Sequence, residues 1–313
     1  MRSPSFICKR LILLGAAFAV LGLPCHSQEC FTDMGDAALD TTVSALPDSG
    51  IQPPVTQPRL RWHSMITNLP GDWMRGIKQA TRVDNLPAVA SLTAITIGLL
   101  ASDKETYRPS GDLYQSSPAV HEGTDFFVSL GDTRSHMILA GGFAAYGLIA
   151  SDQRSLATAS QTVEAVLASG LVVQVLKRIS GRESPEVATR PSGKWTPFPN
   201  VREYHQHQSR FYAFPSGHIA TSMAVLTVLA ENYSEVSWIR PVGYTVVGLI
   251  GVSLVNRGYH WYSDLPLGIA IGHAFGMIAS HPEADVTAPA TPSISVTPTF
   301  NGCQAGVQFA LVF

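Results

Sequence analysis

The chain has 313 residues, enough for one large domain or two small ones. Only 14% of its residues are charged, against roughly 25% in an ordinary soluble domain, whereas 45% are hydrophobic. The net charge of −2 gives no electrostatic reason to expect nucleic acid as a partner. These values favour a helical protein with a large buried or lipid-facing fraction.

The first 27 residues have the pattern of an export signal. Three basic residues precede the apolar stretch 11–23, Pro24 ends that stretch, and small residues allow cleavage after Ser27. An uncleaved membrane anchor is the alternative. In both cases the chain is predicted to reach the cell envelope, as a periplasmic or membrane-associated protein.

Two cysteines, Cys30 and Cys303, remain once the signal is removed. An even pair in an oxidising compartment predicts a disulfide between the two ends of the mature chain. Two unpaired thiols are the alternative.

Residues 28–84 are predicted to form an N-terminal leader, in which scattered apolar positions after residue 59 allow one short amphipathic helix. The domain 85–281 follows and contains six apolar stretches, near 86–102, 136–150, 160–178, 217–231, 241–257 and 264–279. Each predicts a helix, and frequent Gly and Ala residues permit close packing. The predicted fold class is therefore all-α with a six-helix core.

Residues 282–313 are predicted to form a linker and a C-terminal β-hairpin. The linker is rich in Pro, Ala and Thr, and the stretch from Ser293 onward alternates between apolar and polar residues. Asn301-Gly302 within it is a strong turn signal.

Pro215-Ser216-Gly217-His218 lies directly before an apolar helical stretch. Free backbone N–H groups and the positive end of the helix dipole at such a position bind anions, above all phosphate. Ser216 adds a hydroxyl donor, Gly217 allows close approach of the backbone, and His218 is placed to protonate a leaving group. The alternative is that Ser216 only caps the helix.

His260 and Asp264 lie four residues apart, so their side chains can meet on one helical turn. A carboxylate that holds one imidazole nitrogen as a donor leaves the other nitrogen as a nucleophile. The alternative is that Asp264 caps the following helix, and the two roles are compatible.

Lys177, near the end of a predicted helix, supplies a cation that suits phosphate, although cations at helix ends are common for dipole reasons alone. Together these motifs resemble the type 2 phosphatidic acid phosphatase and vanadium haloperoxidase superfamily. That family's pattern is Lys-x6-Arg-Pro, Pro-Ser-Gly-His, and Ser-Arg-x5-His-x3-Asp. Over about residues 86–280 this sequence matches it at Lys177, Pro185, Pro215-Ser216-Gly217-His218, Ser253, His260 and Asp264.

Two arginines of the pattern are missing, because Ser184 and Leu254 occupy their positions. In the family they hold phosphate oxygens in a fork geometry. Arg182, two residues before the first gap, and Arg257, three residues after the second, are predicted to replace them. The resulting phosphate contacts are Lys177, Arg182, Ser216, Gly217 and Arg257.

The resemblance implies an acid phosphatase/haloperoxidase type of helical bundle and a histidine phosphatase that needs no metal or other cofactor. His260, oriented by Asp264, would attack phosphorus, and His218 would protonate the departing alcohol and later activate water. The partner would be a phosphorylated small molecule or lipid. The alternatives are a non-catalytic phosphate- or lipid-binding relative, prompted by Ser184 and Leu254, and a vanadate-dependent haloperoxidase.

The sequence favours a domain that associates with a membrane without spanning it. Most apolar runs have 12 to 15 residues, short of the roughly 20 that a span requires. If the first three helices crossed a membrane from outside, Lys177 would reach the cytoplasm, which disagrees with export. An integral membrane protein is the alternative.

Overall fold

The computed structural model describes residues 64–282 and the backbone of residues 293–301 and 304–312. The predicted export signal, the first part of the leader, the linker and the Cys30–Cys303 disulfide lie outside the described residues.

Ten α-helices make up residues 64–282. Their bounds are α1 Ser64–Thr67, α2 Leu69–Thr81, α3 Leu86–Ser116, α4 Pro118–Leu130, α5 Thr133–Ala150, α6 Gln153–Ser180, α7 Val201–Gln206, α8 Gly217–Asn232, α9 Ile239–Asn256 and α10 Leu265–Ser280. The six predicted helices correspond to α3, α5, α6, α8, α9 and α10, and α2 is the short helix of the leader. The predicted all-α core is confirmed.

The structure adds helical segments that the sequence does not predict, among them the end of α3 and the whole of α4. Helix α3 continues through Pro109 to Ser116, although an interior proline normally ends or kinks a helix. Beyond this proline, the half-buried Tyr262 hydroxyl lies 3.3 Å from Ser110 Oγ, so packing holds the helix together. Helix α4 begins at Pro118, and polar residues interrupt its apolar pattern.

Local signals define how α6 begins and ends. The Asp152 side chain accepts hydrogen bonds from the first N–H groups of the helix, at Arg154 and Ser155. Gly181 ends it in the left-handed region, with φ of 55°. A Cβ at Gly181 would lie 1.8 Å from the Thr196 carbonyl oxygen, so only glycine fits there. The chain therefore leaves α6 abruptly, one turn after Lys177.

The centre of the domain is α8, most of whose residues are buried. It packs closely against α10 because three glycines, four residues apart, form one face of α10. A Cβ at Gly272 would lie 2.1 Å from the Ala220 carbonyl oxygen. Gly268 contacts Ser216 and Gly276 contacts Thr227, so the two helices run parallel. Both helix N-termini therefore lie at the same end of the domain.

Within residues 64–282, three segments have the length and apolar composition to cross a membrane: Val83–Ser116, Gln153–Ser180 and Ile239–Asn256. From the sequence, most apolar runs are expected to be too short to span a membrane. For these three segments that expectation is wrong, because each helix extends beyond its most apolar run. Large apolar side chains also face outward, and Ile149 on α5 is 86% exposed. These features support association of the domain with a membrane.

The backbone of the C-terminal segment forms the predicted hairpin. Strands β1 Ser293–Asn301 and β2 Gln304–Val312 are antiparallel, with a register that runs from Ser293↔Val312 to Asn301↔Gln304.

Candidate active site

Three segments bring the predicted residues together at one end of the bundle. Lys177 comes from the last turn of α6, and His218 from the first turn of α8. His260 lies in the connection between α9 and α10. The ring centroids of His218 and His260 are 6.4 Å apart. Lys177 Nζ lies 3.8 Å from the point that a Cβ on Gly217 would occupy.

The start of α8 combines a helix cap with free donors. Ser216 Oγ accepts a hydrogen bond from the Ile219 N–H at 3.5 Å, and the Ser216 N–H donates to the Asp264 carbonyl oxygen at 3.0 Å. Ser216 therefore caps the helix, as the alternative interpretation held. The N–H groups of Gly217 and His218 belong to the first turn, where helix geometry provides no acceptor. These N–H groups and the helix dipole favour an anion.

Lys177 is a buried cation whose pKa burial lowers to about 8, although the charge of Asp264 opposes this effect. Its side chain is only 4% exposed, and within residues 64–282 it forms no ion pair. Its ammonium group lies 4.5 Å from the centroid of the Tyr212 ring. Because burial of an unpaired charge is unfavourable, this arrangement favours an anion next to Lys177 and Gly217.

His260 is held by a backbone carbonyl as well as by the predicted carboxylate. Its Nδ1 lies 2.7 Å from the Ala213 carbonyl oxygen and 3.6 Å from Asp264 Oδ2. Ala213 therefore provides the shorter contact, and both acceptors favour a hydrogen on Nδ1. The lone pair then resides on Nε2, as a nucleophile requires.

Asp264 is fully buried and accepts hydrogen bonds from two directions. Its Oδ2 accepts from the Trp261 backbone N–H at 2.7 Å, and its Oδ1 accepts from the Arg182 guanidinium. Asp264 occupies the N-cap position of α10, but its side chain does not cap that helix. Its carboxylate is therefore directed towards the site.

The prediction that Arg182 binds phosphate is wrong for this structure. All five N–H donors of its fully buried guanidinium are used within the protein. Nε and Nη2 donate to the Ser192 carbonyl oxygen, Nη1 donates to Ser263 and Asp264, and Nη2 also donates to Asp103 at 2.6 Å. No donor remains for a phosphate oxygen.

The structure does not bring Arg257 to the predicted position either. Its side chain is 37% exposed, and within the described residues its polar contacts are with Tyr114, Tyr259 and Asp125. The side chains at the two family arginine positions, Ser184 and Leu254, are fully buried. The Leu254 side chain is part of the apolar core.

Both site histidines are shifted towards the neutral form. Burial, together with the positive charges of His260 and Lys177, lowers the pKa of His218 to about 4. Burial also lowers the pKa of His260 below its ordinary value, although Asp264 opposes this effect. At pH 7 both rings are neutral, which suits a nucleophile but leaves the general acid without its proton.

Sequence reasoning missed three contributors: Asp103, Ser263 and the Ala213 carbonyl. Ser263 Oγ donates to Asp103 Oδ2 at 2.6 Å, and Asp103 also pairs with Arg182. In the sequence, Asp103 follows an apolar run and precedes Lys104 and Glu105, so it resembles the solvated end of a helix. No local signal distinguishes it, and a backbone carbonyl has no signature in the sequence.

A model of the PAP2 superfamily matches residues 159–285, which include Lys177, His218, His260 and Asp264. This part of the chain is similar to the PAP2 superfamily. This match confirms the resemblance that the motifs indicate.

Over 65 residues the chain is 38% identical to a lipid A 1-phosphatase of Porphyromonas gingivalis. The aligned segment covers 20% of this chain and 15% of the length of that phosphatase. Among solved structures, the chain is similar to a transmembrane PAP2 type phosphatidylglycerolphosphate phosphatase from Bacillus subtilis, with 16% identity and a TM-score of 0.42. That similarity covers 71% of this chain and 96% of the other.

Proposed function

We propose that this protein hydrolyses a phosphate monoester or pyrophosphate through a phosphohistidine intermediate on His260. One observation carries the proposal: within the described residues the buried Lys177 forms no ion pair, and it lies next to the first turn of α8, beside His218 and His260. A phosphate group there would supply the missing negative charge and accept the free N–H groups of Gly217 and His218.

The first half-reaction transfers the phosphoryl group to the protein. The lone pair of His260 Nε2 forms a bond to phosphorus while the bond to the leaving oxygen breaks. His218 gives its proton to that oxygen, and Lys177 with the N–H groups at the start of α8 stabilises charge on the equatorial oxygens. The Nδ1 hydrogen of His260 stays next to the Ala213 carbonyl oxygen and Asp264 Oδ2. These two acceptors stabilise the positive charge that the ring gains when it is phosphorylated.

The second half-reaction returns the site to its starting state. Neutral His218 accepts a proton from water, and the water oxygen forms a bond to phosphorus as the bond to His260 Nε2 breaks. Inorganic phosphate leaves, and His218 again carries the proton for the next leaving group.

Substrate binding itself can protonate the general acid. The pKa of His218 is low because the ring is buried and lies near His260 and Lys177. A phosphate dianion beside Lys177 adds negative charge at this point and therefore raises the pKa of His218. The site would gain its acid only when the substrate is bound.

A lipid phosphate is the substrate class that the surroundings favour. The loop between α6 and α8 carries exposed apolar side chains, and Phe198 within it is 75% exposed. Trp195 in the same loop is 40% exposed and packs against Phe214, directly before Pro215. With the apolar α3, α6 and α9, this loop would let a membrane lipid present its phosphate. This assignment agrees with an envelope location and with the name of the P. gingivalis relative.

A second candidate is a phosphate- or lipid-binding protein without turnover. It is favoured by the absence of two family arginines, because the guanidinium groups of Arg182 and Arg257 are bound to other residues of the protein. In that case the site would bind inorganic phosphate but release none from an ester.

The test measures phosphate release from an aryl phosphate and from a short-chain phosphatidic acid, with a chelator present. Wild type is compared with His260→Ala and with His281→Ala, whose exposed histidine lies after the far end of α10. Release by wild type and His281→Ala but not by His260→Ala supports the proposal and its independence from metal. Phosphate binding without release by any protein identifies the second candidate.

A further inference from the structure

The residue that the structure adds to the site is Asp103 of α3. It lies outside the region that the PAP2 model matches, and its carboxylate is fully buried. Oδ2 accepts hydrogen bonds from Arg182 Nη2 and from Ser263 Oγ, both at 2.6 Å, and Oδ1 accepts from the Ser263 N–H at 3.3 Å. Asp103 therefore accepts three hydrogen bonds in the cluster that supports His260. Packing alone does not explain a buried charge at this position.

The charges of this cluster explain it. Arg182 lies between two carboxylates, with Asp103 on one side and Asp264 on the other. Paired with Asp264 alone, the guanidinium would cancel the carboxylate next to His260. With Asp103 present, the three groups together keep one net negative charge.

We propose that Asp103 is a positioning residue that offsets the charge of Arg182, so that Asp264 acts on His260 as an effective anion. The proposal rests on the proposed function, because its benefit arises when His260 gains positive charge on attacking phosphorus. It also explains why Arg182 lies beside the site without binding phosphate.

Other charged groups also act on His260. Lys177 on α6 and a protonated His218 on α8 oppose positive charge on the ring, and Asp264 in its own segment favours it. Arg182 precedes the loop and Asp103 comes from α3, and neither contacts the ring directly. The effect of Asp103 must therefore pass through Arg182 and Asp264.

The first test is Asp103→Asn, with Glu105→Gln as the control that removes an exposed charge from the same helix. Loss of the Asp103 charge leaves Asp264 neutralised by Arg182. The titration midpoint of the His260 ring, followed by NMR and assigned by its loss in His260→Gln, should fall by at least about 0.5 pH unit. We expect kcat to fall about tenfold or more and KM to stay within about threefold. An unchanged midpoint would overturn the proposal, because a purely structural role does not move it.

The double variant Asp103→Asn/Arg182→Gln is the second test, and it covers the case in which the single variant does not fold. It removes one charge of each sign, so the cluster keeps the net charge of −1 that it has in wild type, now carried by Asp264 alone. The His260 midpoint should lie within about 0.3 pH unit of wild type, with KM within about threefold. A rise in KM of about tenfold or more would show that Arg182 binds phosphate and would overturn the proposal.

The two proposals fail in different ways. If wild type releases no phosphate, the proposed function fails, and the NMR titration still decides the role of Asp103. If wild type is active and the His260 midpoint in Asp103→Asn equals that of wild type, only the role of Asp103 is lost.

Discussion

Lys177 and Arg182 are five residues apart, and both are buried cations, but their surroundings differ. Lys177 has an aromatic ring and the start of a helix next to it and no ion pair among the described residues. Arg182 has every donor occupied by two carboxylates, a hydroxyl and a carbonyl. Since burial of a charge is unfavourable without a partner, the unpaired cation indicates where a ligand binds and the saturated one indicates a structural support.

The largest effect is expected from loss of the His260 ring, which lies beside Lys177 and is held by Asp264, the partner of Arg182. His260→Gln should lower kcat/KM by about 10³-fold or more, because it removes the nucleophile. Steady-state kinetics measure the loss, and His281→Gln at the far end of α10 should retain full activity. An active His260→Gln protein would exclude His260 as the nucleophile.

Removing the saturated cation should damage the fold. Arg182→Met leaves Asp103 and Asp264 buried together without a cation, which should lower the free energy of unfolding by about 3–5 kcal/mol. Chemical denaturation measures the change, and the exposed Arg202→Met is its control. If stability is retained while KM rises, Arg182 binds substrate and the comparison with Lys177 fails.

Removing the unpaired cation, Lys177, should lower activity without lowering stability. Lys177→Met should lower kcat/KM by about 10²-fold because a phosphate contact is lost. Its free energy of unfolding should stay the same or rise by about 1 kcal/mol, because a buried charge has been removed. Kinetics and denaturation are compared with those of Lys104→Met, an exposed change on α3. A strongly destabilised, fully active variant would make Lys177 a structural residue.

The pH dependence follows from the lowered pKa values of both histidines. His260 must be neutral to attack and His218 must be protonated to donate, and the pKa of His218 is about 4 in the free protein. Above the pKa values of the two histidines the fraction in the active form decreases as the pH rises, and the optimum of kcat/KM should lie below about pH 6.5. An optimum above pH 8 would show that His218 is not the acid.

The smallest effect is expected at Arg257. Its contacts with Tyr114, Tyr259 and Asp125 are exposed, so Arg257→Ala should change KM by less than about threefold. Arg108→Ala, another exposed arginine, is the control. A tenfold higher KM would restore the sequence-based assignment of Arg257 to phosphate.

The local motifs of this protein could be predicted from its sequence. Pro215-Ser216-Gly217-His218 and the His260–Asp264 spacing place chemistry on helix ends, and a helix end has the same physics in any fold. The helical core could also be predicted, because its apolar stretches are long and glycine spacing on α10 indicates close packing.

The partners of long side chains could not be predicted from the sequence. Arg182 is near the family arginine position, but its orientation depends on Asp103, which lies 79 residues away along the chain. Arg257 similarly pairs with residues of α3 and α4. Ion pairs between distant segments depend on how the helices are arranged, and a sequence pattern around one residue contains no such information.

The most direct test of the central claim is to trap the phosphorylated protein. Wild type is mixed with a substrate labelled at its phosphate, quenched within one turnover, and its peptides are analysed without acid. We predict acid-labile phosphate on His260, which Lys177→Met reduces and His260→Gln abolishes. Turnover without label on His260, or label on another residue, would contradict the account.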